Sequence, residues 1–248
     1  MVLAILQARC SSHRLPNKVL KPLLGRAMVL REMERLTHSR YIDRIVLATS
    51  TDVSDDPLCA LAEETGVNIY RGSLDDVLDR YYACAKEYGA EHIVRVTGDC
   101  PLIDWRVSDD VIARHLTEKN DYTRTTERFP DGLDTEIMTF DALEQAHREA
   151  RLTSEREHVT LYFRNNPERF RIGSVDCAED YRDFRWTVDE PCDFPFVEAV
   201  YEKLYAKNKD FSMQDILSLL KEQPDLRTLN QGIVRNEGLL KSLAEDTK

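Results

Sequence analysis

Three cations close together in one loop are the first chemistry this sequence offers. Arg9, Arg14 and Lys18 fall within QARCSSHRLPNKVLKPL, beside Ser11 and Ser12, and no acidic residue occurs before Glu32. The whole chain, by contrast, carries 45 Asp and Glu against 34 Lys and Arg, a formal charge of −11. Local positive charge on an acidic protein fits a compact, highly charged anion, and phosphate matches Arg and Lys best. Two aspartates offer a second chemistry. Asp99 lies in the turn TGDCP and Asp189 in TVDEP, each after a short apolar run. Carboxylates there could share one Mg2+, with water and phosphate oxygens completing its shell. Taken alone, Asp189 reads as a helix N-cap ahead of Glu190 and Pro191.

The elements that must position these groups alternate. Val2–Leu6 is a continuous apolar run, read as a buried strand that delivers the chain into the basic loop Ala8–Lys18. Met28–Leu36 reads as a helix and Ile45–Ala48 as a strand. Asp56 and Pro57 open a helix that Gly66 stops. Val67–Tyr70 is a strand, Asp75–Tyr88 a helix closed by Gly89, and His92–Val96 a strand. This rhythm predicts an α/β fold: a mainly parallel twisted sheet with helices on both faces. Beyond Asp121 the texture changes. Strands are expected at Glu136–Thr139, Phe170–Val175 and Arg185–Val188, and helices at Asp141–Ala150, Arg156–Arg164, Pro191–Tyr205 and Ser212–Lys221. The polar tail after Gln223 reads as peripheral. With no repeat or low-complexity linker, a single domain over 1–248 is expected. Its nucleotide-binding half would be 1–120, its sugar-binding and metal-completing half 121–210, and its C-terminal helical tail 211–248.

The basic loop resembles the signature loop of sugar nucleotidylyltransferases, most closely the branch typified by spore-coat polysaccharide SpsF. It also resembles cytidylyltransferases that make CMP-activated acid sugars. The resemblance recurs in RGSLDDVLDRYY, VRVTGDCPLID, FPDGLDTEIM, SEREHVTLYFRNNPERF and WTVDEPCDF, in that order, over roughly the first four-fifths of the chain. It implies a nucleotide-diphospho-sugar transferase-like, Rossmann-like fold. It also implies that Ala8, Arg9, Ser12, Arg14 and Lys18 face a nucleoside triphosphate, with Arg71 toward base or ribose. Thr49, in the loop Ala48–Ser50, joins the nucleoside side. Asp99 and Asp189 become the Mg2+ ligands, and Arg14, Lys18 and Asp99 the catalytic groups. Asp134, Glu136 and His158 are placed around the sugar. The family has glycines where this chain has Ser11 and Asn17, and Asn17 can take a left-handed conformation at modest cost. His13, where the family often has threonine, is read as an exposed loop residue.

At 248 residues and 42% hydrophobic composition the chain can bury a large core. Its negative charge argues against non-specific nucleic-acid binding. No apolar run approaches a membrane span, and no signal-peptide pattern opens the sequence, so a cytoplasmic protein is expected. The six cysteines have no ligand-like spacing. The leading reading is an Mg2+-dependent nucleotidylyltransferase that transfers CMP from CTP to a sugar or acid sugar. No membrane insertion is expected, and the resemblance admits a homodimer. One competing reading is a glycosyltransferase of related architecture, although its metal-bridging Asp-x-Asp is missing after the central strand. A non-catalytic nucleotide-binding protein is the other.

Overall fold

The computed structural model describes residues 1–12, 14–233, 235 and 237–246, with Lys241 described by its backbone alone. His13 therefore lies outside the described residues. Strand β1 (Val2–Gln7) is followed by the basic loop and a short hairpin of β2 (Pro22–Leu23) and β3 (Arg26–Ala27). Then come α1 (Met28–Leu36), β4 (Arg44–Ser50), α2 (Asp56–Thr65), β5 (Ile69–Gly72), α3 (Val77–Glu87), β6 (His92–Thr97) and α4 (Trp105–Glu118). The second half contains β7 (Tyr122–Thr125), β8 (Glu136–Thr139), α5 (Phe140–Glu149), α6 (Thr153–Glu157), α7 (Leu161–Asn165) and β9 (Ile172–Val175). Helices α8 (Asp193–Leu204), α9 (Met213–Glu222) and α10 (Glu237–Asp246) complete the order.

Seven strands form one sheet in the order β5-β4-β1-β6-β8-β7-β9. β5, β4, β1 and β6 run parallel, β8 is antiparallel to both of its neighbours, and β9 pairs parallel with β7. Alternation along β1 explains the two layers of helices. Leu3 and Ile5 join a core with residues of α3 and α5, whereas Leu6 packs with α1, and Val2 and Ala4 pack with α4. The chain winds outward from β1 through β4 to β5, then returns to place β6 on the other side of β1. Such a reversal opens a crevice at the carboxyl ends of the two central strands, where open α/β sheets take their ligands.

Several boundaries depart from the sequence pattern. Residues 185–188 make no strand; only Asp131 and Arg185 form an isolated bridge, and Val188 N–H instead bonds to Asp99 O at 2.7 Å. The helix expected over 156–164 is split into α6 and α7 at Val159, a fully buried residue with φ 44°. That φ is costly for a β-branched side chain, so the surrounding packing must impose it. The helix expected from Pro191 starts at Asp193, whose carboxylate accepts the N–H groups of Asp189 and Glu190. Asp189 is thus not the cap. The tail is not peripheral either, because α10 packs against α6. Helix α4 and strand β7 lie where the sequence pattern marked no element.

Candidate active site

Two loops leave the switch point side by side. Gly98 N–H donates to Gln7 O at 2.8 Å, and a Cβ on Gly98 would stand 2.9 Å from Ala8 Cβ, so glycine lets the loops after β1 and β6 touch. In the first loop Asn17 takes the left-handed conformation, φ 57° and ψ 20°, and its N–H bonds Cys10 O at 2.9 Å. That turn sends Lys18 back beneath the loop, only 8% exposed. A third segment docks onto the second loop. Thr187 Oγ1 and Val188 N both donate to Asp99 O, at 3.1 and 2.7 Å. Gly132, at φ 105°, allows the chain to pass Trp186 and Thr187, where a Cβ would meet backbone at 2.7 Å. This docking carries Asp189 to Asp99.

Lys18 Nζ lies between the two carboxylates, 3.2 Å from Asp99 Oδ2 and 2.7 Å from Asp189 Oδ1, and also donates to Val188 O at 2.8 Å. Burial disfavours the ammonium, but the two aspartates outweigh it and raise the Lys18 pKa. Burial likewise opposes ionisation of Asp99. Lys18, with hydrogen bonds from Thr97, Lys18 and Cys100, outweighs it and holds the carboxyl down to about 2. Behind Asp99, the fully buried Glu32 accepts from Cys100 N at 3.1 Å. Burial first, and Asp99 second, push its carboxyl well above the usual range. The Cys100 thiol is also pushed up, and burial with Asp55 raises Cys10 to about 11, so neither is poised as a thiolate nucleophile.

These groups open into a cavity of about 510 Å³. Its lining includes Gln7, Ala8, Arg9, Ser12, Arg14, Lys18, Arg80, Thr97, Asp99 and Asp189, together with Arg95, Glu157, His158, Gly238, Ser242 and Glu245. Arg14 is shared by three carboxylates: Glu237 at 2.8 Å, Asp189 at 3.1 Å and Glu190 at 3.2 Å. Arg80, 2% exposed, is fixed by the carbonyls of Ser73 and Leu74 at 2.9 and 3.0 Å. Burial, and less strongly the nearby Arg9, lower its pKa.

The structure brings Ala8, Arg9, Ser12, Arg14, Lys18, Asp99, Asp189 and His158 to this one cavity. Four expected residues do not line it. Thr49 is fully buried within β4. Arg71 is occupied by Ser50 O, Asp52 O and Asp56, at 2.8, 3.0 and 2.9 Å, and so clips the loop after β4. Asp134 pairs with Arg235 at 2.7 Å, outside the wall. Glu136 lies one layer deeper, accepting from Arg95 at 2.6 Å and from Thr160 at 2.8 Å, with Tyr122 OH as a third donor. Gln7, Arg95, Thr97, Ser242 and Glu245 also line the cavity without having stood out in the sequence. Arg95 and Thr97 had a signal, since they occupy alternate positions at the end of β6, the strand that leads to Asp99.

Among the described residues no group of three or more His, Cys, Asp or Glu could hold a metal ion. A two-carboxylate set still fits Mg2+, a hard cation that keeps several waters and takes phosphate oxygens. Asp99 and Asp189 converge on a single cation, the Lys18 ammonium, at 3.2 and 2.7 Å.

A switch-point cavity with a basic loop on one wall and paired aspartates between the loops defines an α/β nucleotidyltransferase. The chain belongs to the cytidylyltransferase family, whose model matches residues 3–232. It is similar to the spore coat polysaccharide biosynthesis protein SpsF of Bacillus subtilis, at 33% identity over 92% of this chain and 97% of that one. A cytidylyltransferase structure from Leptospira borgpetersenii superposes with a TM-score of 0.88 at 32% identity, covering 94% of this chain and 99% of that one. The structure of CMP:2-keto-3-deoxy-manno-octonic acid synthetase complexed with CTP shares the fold, with a TM-score of 0.66 at 15% identity over 82% and 98% of the two chains. Family membership favours nucleotidyl transfer over both competing readings, glycosyl transfer and a non-catalytic protein. No helix among the described residues is long and apolar enough to cross a membrane.

Proposed function

We propose that this enzyme transfers CMP from CTP to an oxygen of a sugar or acid sugar, with Mg2+, for the assembly of a surface polysaccharide or other glycan. The observation that carries the reading is the Lys18 ammonium shared by Asp99 and Asp189 at the head of a cavity lined by Arg9, Arg14 and Arg80. Residues 1–120 would hold the nucleotide. Residues 121–210 would complete the metal site through Asp189 and reach the sugar, with Gly238, Ser242 and Glu245 of α10 adding to the wall. The SpsF likeness supports a glycan product, and the CTP-bound neighbour supports the nucleotide. CTP being a cytoplasmic metabolite, the reaction belongs in that compartment.

In this reading Arg9, Ser12, Arg14 and the loop backbone around Ala8 bind the triphosphate. Held by Asp99 and Asp189, Mg2+ would polarise the α-phosphate. The acceptor oxygen bonds to the α-phosphorus as the bond to the α,β-bridging oxygen breaks. Pyrophosphate leaves with that oxygen, and the acceptor's proton is released to solvent. Arg14 and Lys18 offset the charge gathering on the leaving group. Catalysis is then positioning and charge neutralisation by groups fixed beforehand. Two linked measurements test the proposal. CTP with Mg2+ should raise the melting temperature more than UTP, ATP or GTP at equal concentration, and pyrophosphate should appear from CTP with members of a sugar and acid-sugar panel. An equal or larger shift with UTP or a purine triphosphate would remove the cytidylyl assignment.

A further inference from the structure

Part of the cavity wall is built by a segment beyond the family match. That match ends at residue 232, whereas α10 spans Glu237–Asp246 and presents Gly238, Ser242 and Glu245 to the cavity. The spacing of four and three residues places them on one face of the helix. Leu240, 56% exposed, lies off that stripe.

This helix is tied to the domain along its length. Arg235, just before it, pairs with Asp134 at 2.7 Å; Glu237 pairs with Arg14 at 2.8 Å; and Asp246 accepts from Ser154 N at 3.1 Å. In the middle, Ser242 is 5% exposed and its Oγ lies 2.6 Å from Glu157 Oε2, 3.1 Å from Gly238 O and 2.9 Å from His158 Nε2. A hydroxyl has one proton, and the carboxylate and the carbonyl can only accept it. His158 must therefore donate from Nε2, which leaves Nδ1 as the acceptor of the ring. Burial lowers the His158 pKa and so favours this neutral form. The split between α6 and α7 at Val159 follows directly after His158.

We propose that α10 supplies the specificity-determining wall of the acceptor subsite, with Ser242 and Glu245 binding hydroxyl groups of a polyhydroxylated sugar ring. The proposal rests on the CTP-dependent reading above and adds the acceptor end to it. Two carboxylates, Glu157 and Glu245, and the neutral His158 give that end mainly hydrogen-bond acceptors, which suit a ring presenting several hydroxyl donors. Arg95 on the same wall is held by Glu136, itself fixed by Thr160 and Tyr122, and supplies a donor to a ring or carboxyl oxygen. Part of the acceptor wall, Ser242 and Glu245, thereby lies outside the segment that defines the family, while Arg95, Glu157, His158 and the nucleotide-binding residues lie inside it.

The test uses the full chain. Wild-type enzyme with CTP and Mg2+ is assayed for pyrophosphate release against a neutral hexose, a hexuronic acid, a 3-deoxy-2-keto sugar acid and a three-carbon alcohol lacking the ring. The best acceptor is then titrated against Ser242→Ala, Glu245→Gln and, as an outward-facing control, Leu240→Ala. The expected result is turnover of at least one sugar in preference to the alcohol. KM for that sugar should rise tenfold or more in Ser242→Ala and Glu245→Gln, with KM for CTP unchanged and the control like wild type. An unchanged sugar KM in both variants overturns the proposal, as does preference for the alcohol or turnover of none of the four by enzyme that binds CTP. If CTP produces no melting shift in the wild type, the underlying reading falls instead, and the two failures are told apart by that measurement.

Discussion

Lys18 and Asp189 stand 171 residues apart in sequence and 2.7 Å apart in space, and Lys18 Nζ is also within 3.2 Å of Asp99. A lysine on the loop after β1 thus occupies the point where the two proposed metal ligands converge. Two carboxylates so close would repel each other and shed a charge without a cation between them. The ammonium favours the ionised form of Asp99 and holds the segment after Trp186 against the loop after β6. The resemblance implies a Lys18 that faces phosphate; the structure gives it a buried structural charge as well.

Replacing Lys18 by methionine should therefore cost stability, which an exposed loop lysine would not. Removing one member of a buried charge cluster leaves the others uncompensated, and about 3 kcal/mol is expected in urea unfolding without divalent cations. Millimolar Mg2+ should restore a measurable part of that loss, since the vacated carboxylates gain a cation that binds only the folded state. Unfolding midpoints with EDTA and with Mg2+ provide the check. A variant as stable as wild type in EDTA would return Lys18 to the surface.

Asp99→Asn and Asp189→Asn should each reduce pyrophosphate release about a hundredfold or more, equivalent to roughly 3 kcal/mol of transition-state stabilisation. Each variant keeps Lys18 with one carboxylate and should remain folded. Titrating Mg2+ in the same assay separates a lost ligand from a lost electrostatic partner, because only the former raises the Mg2+ concentration needed for half-maximal rate. Wild-type turnover with unchanged Mg2+ dependence in either variant would exclude that aspartate as a ligand.

The parts legible in the sequence were those whose signal is local. An apolar run with no charge gives β1, and the uninterrupted positive sign up to Arg31 gives the basic loop. Helix α4 was hidden because its buried positions include Ser108, Asp109 and His115, which a binary pattern reads as outward. The break at Val159 was equally hidden, since a β-branched residue gives no local cue for positive φ. The tail looked peripheral because α10 meets the domain through Arg235, Glu237, Ser242 and Asp246 rather than through an apolar stripe. Contacts made by polar groups with partners far along the chain leave no periodicity to read.

Glu237→Gln should strengthen CTP binding. The Arg14 guanidinium is divided among Asp189, Glu190 and Glu237, and a triphosphate must compete with these carboxylates for it. Glu237 is 40% exposed, so solvent screens its share of the pair, and removing that charge should lower the Kd for CTP about two- to fivefold. Thermal stability should change little. Calorimetric titration at two ionic strengths checks both size and origin, as the gain should shrink in higher salt. Weaker binding in Glu237→Gln would mean that the glutamate helps to place Arg14 for the phosphates.

Acid should destabilise the protein through a histidine remote from the cavity. His115 on α4 is fully buried, with Nε2 3.1 Å from His92 Nδ1 and Nδ1 3.2 Å from Thr123 Oγ1. Burial, with a smaller contribution from His92, depresses its pKa from 6.5 to about 4. A depressed histidine is neutral in both folded and unfolded chains above pH 6.5. Below that value the unfolded chain takes up a proton that the folded one refuses, so stability falls as pH drops from 6.5 toward 4 and the effect levels off beneath it. The slope from this group is at most about 1.4 kcal/mol per pH unit, which integrates to about 3 kcal/mol. Urea midpoints at several pH values between 7.5 and 4 should show that decline in wild type and a flatter profile in His115→Gln, whose amide cannot titrate. Because His92 begins β6, the strand that ends at Thr97 just before Asp99, the pair packs at the start of the strand that leads to the Asp99 loop. An identical pH profile in His115→Gln would assign the acid sensitivity to other groups.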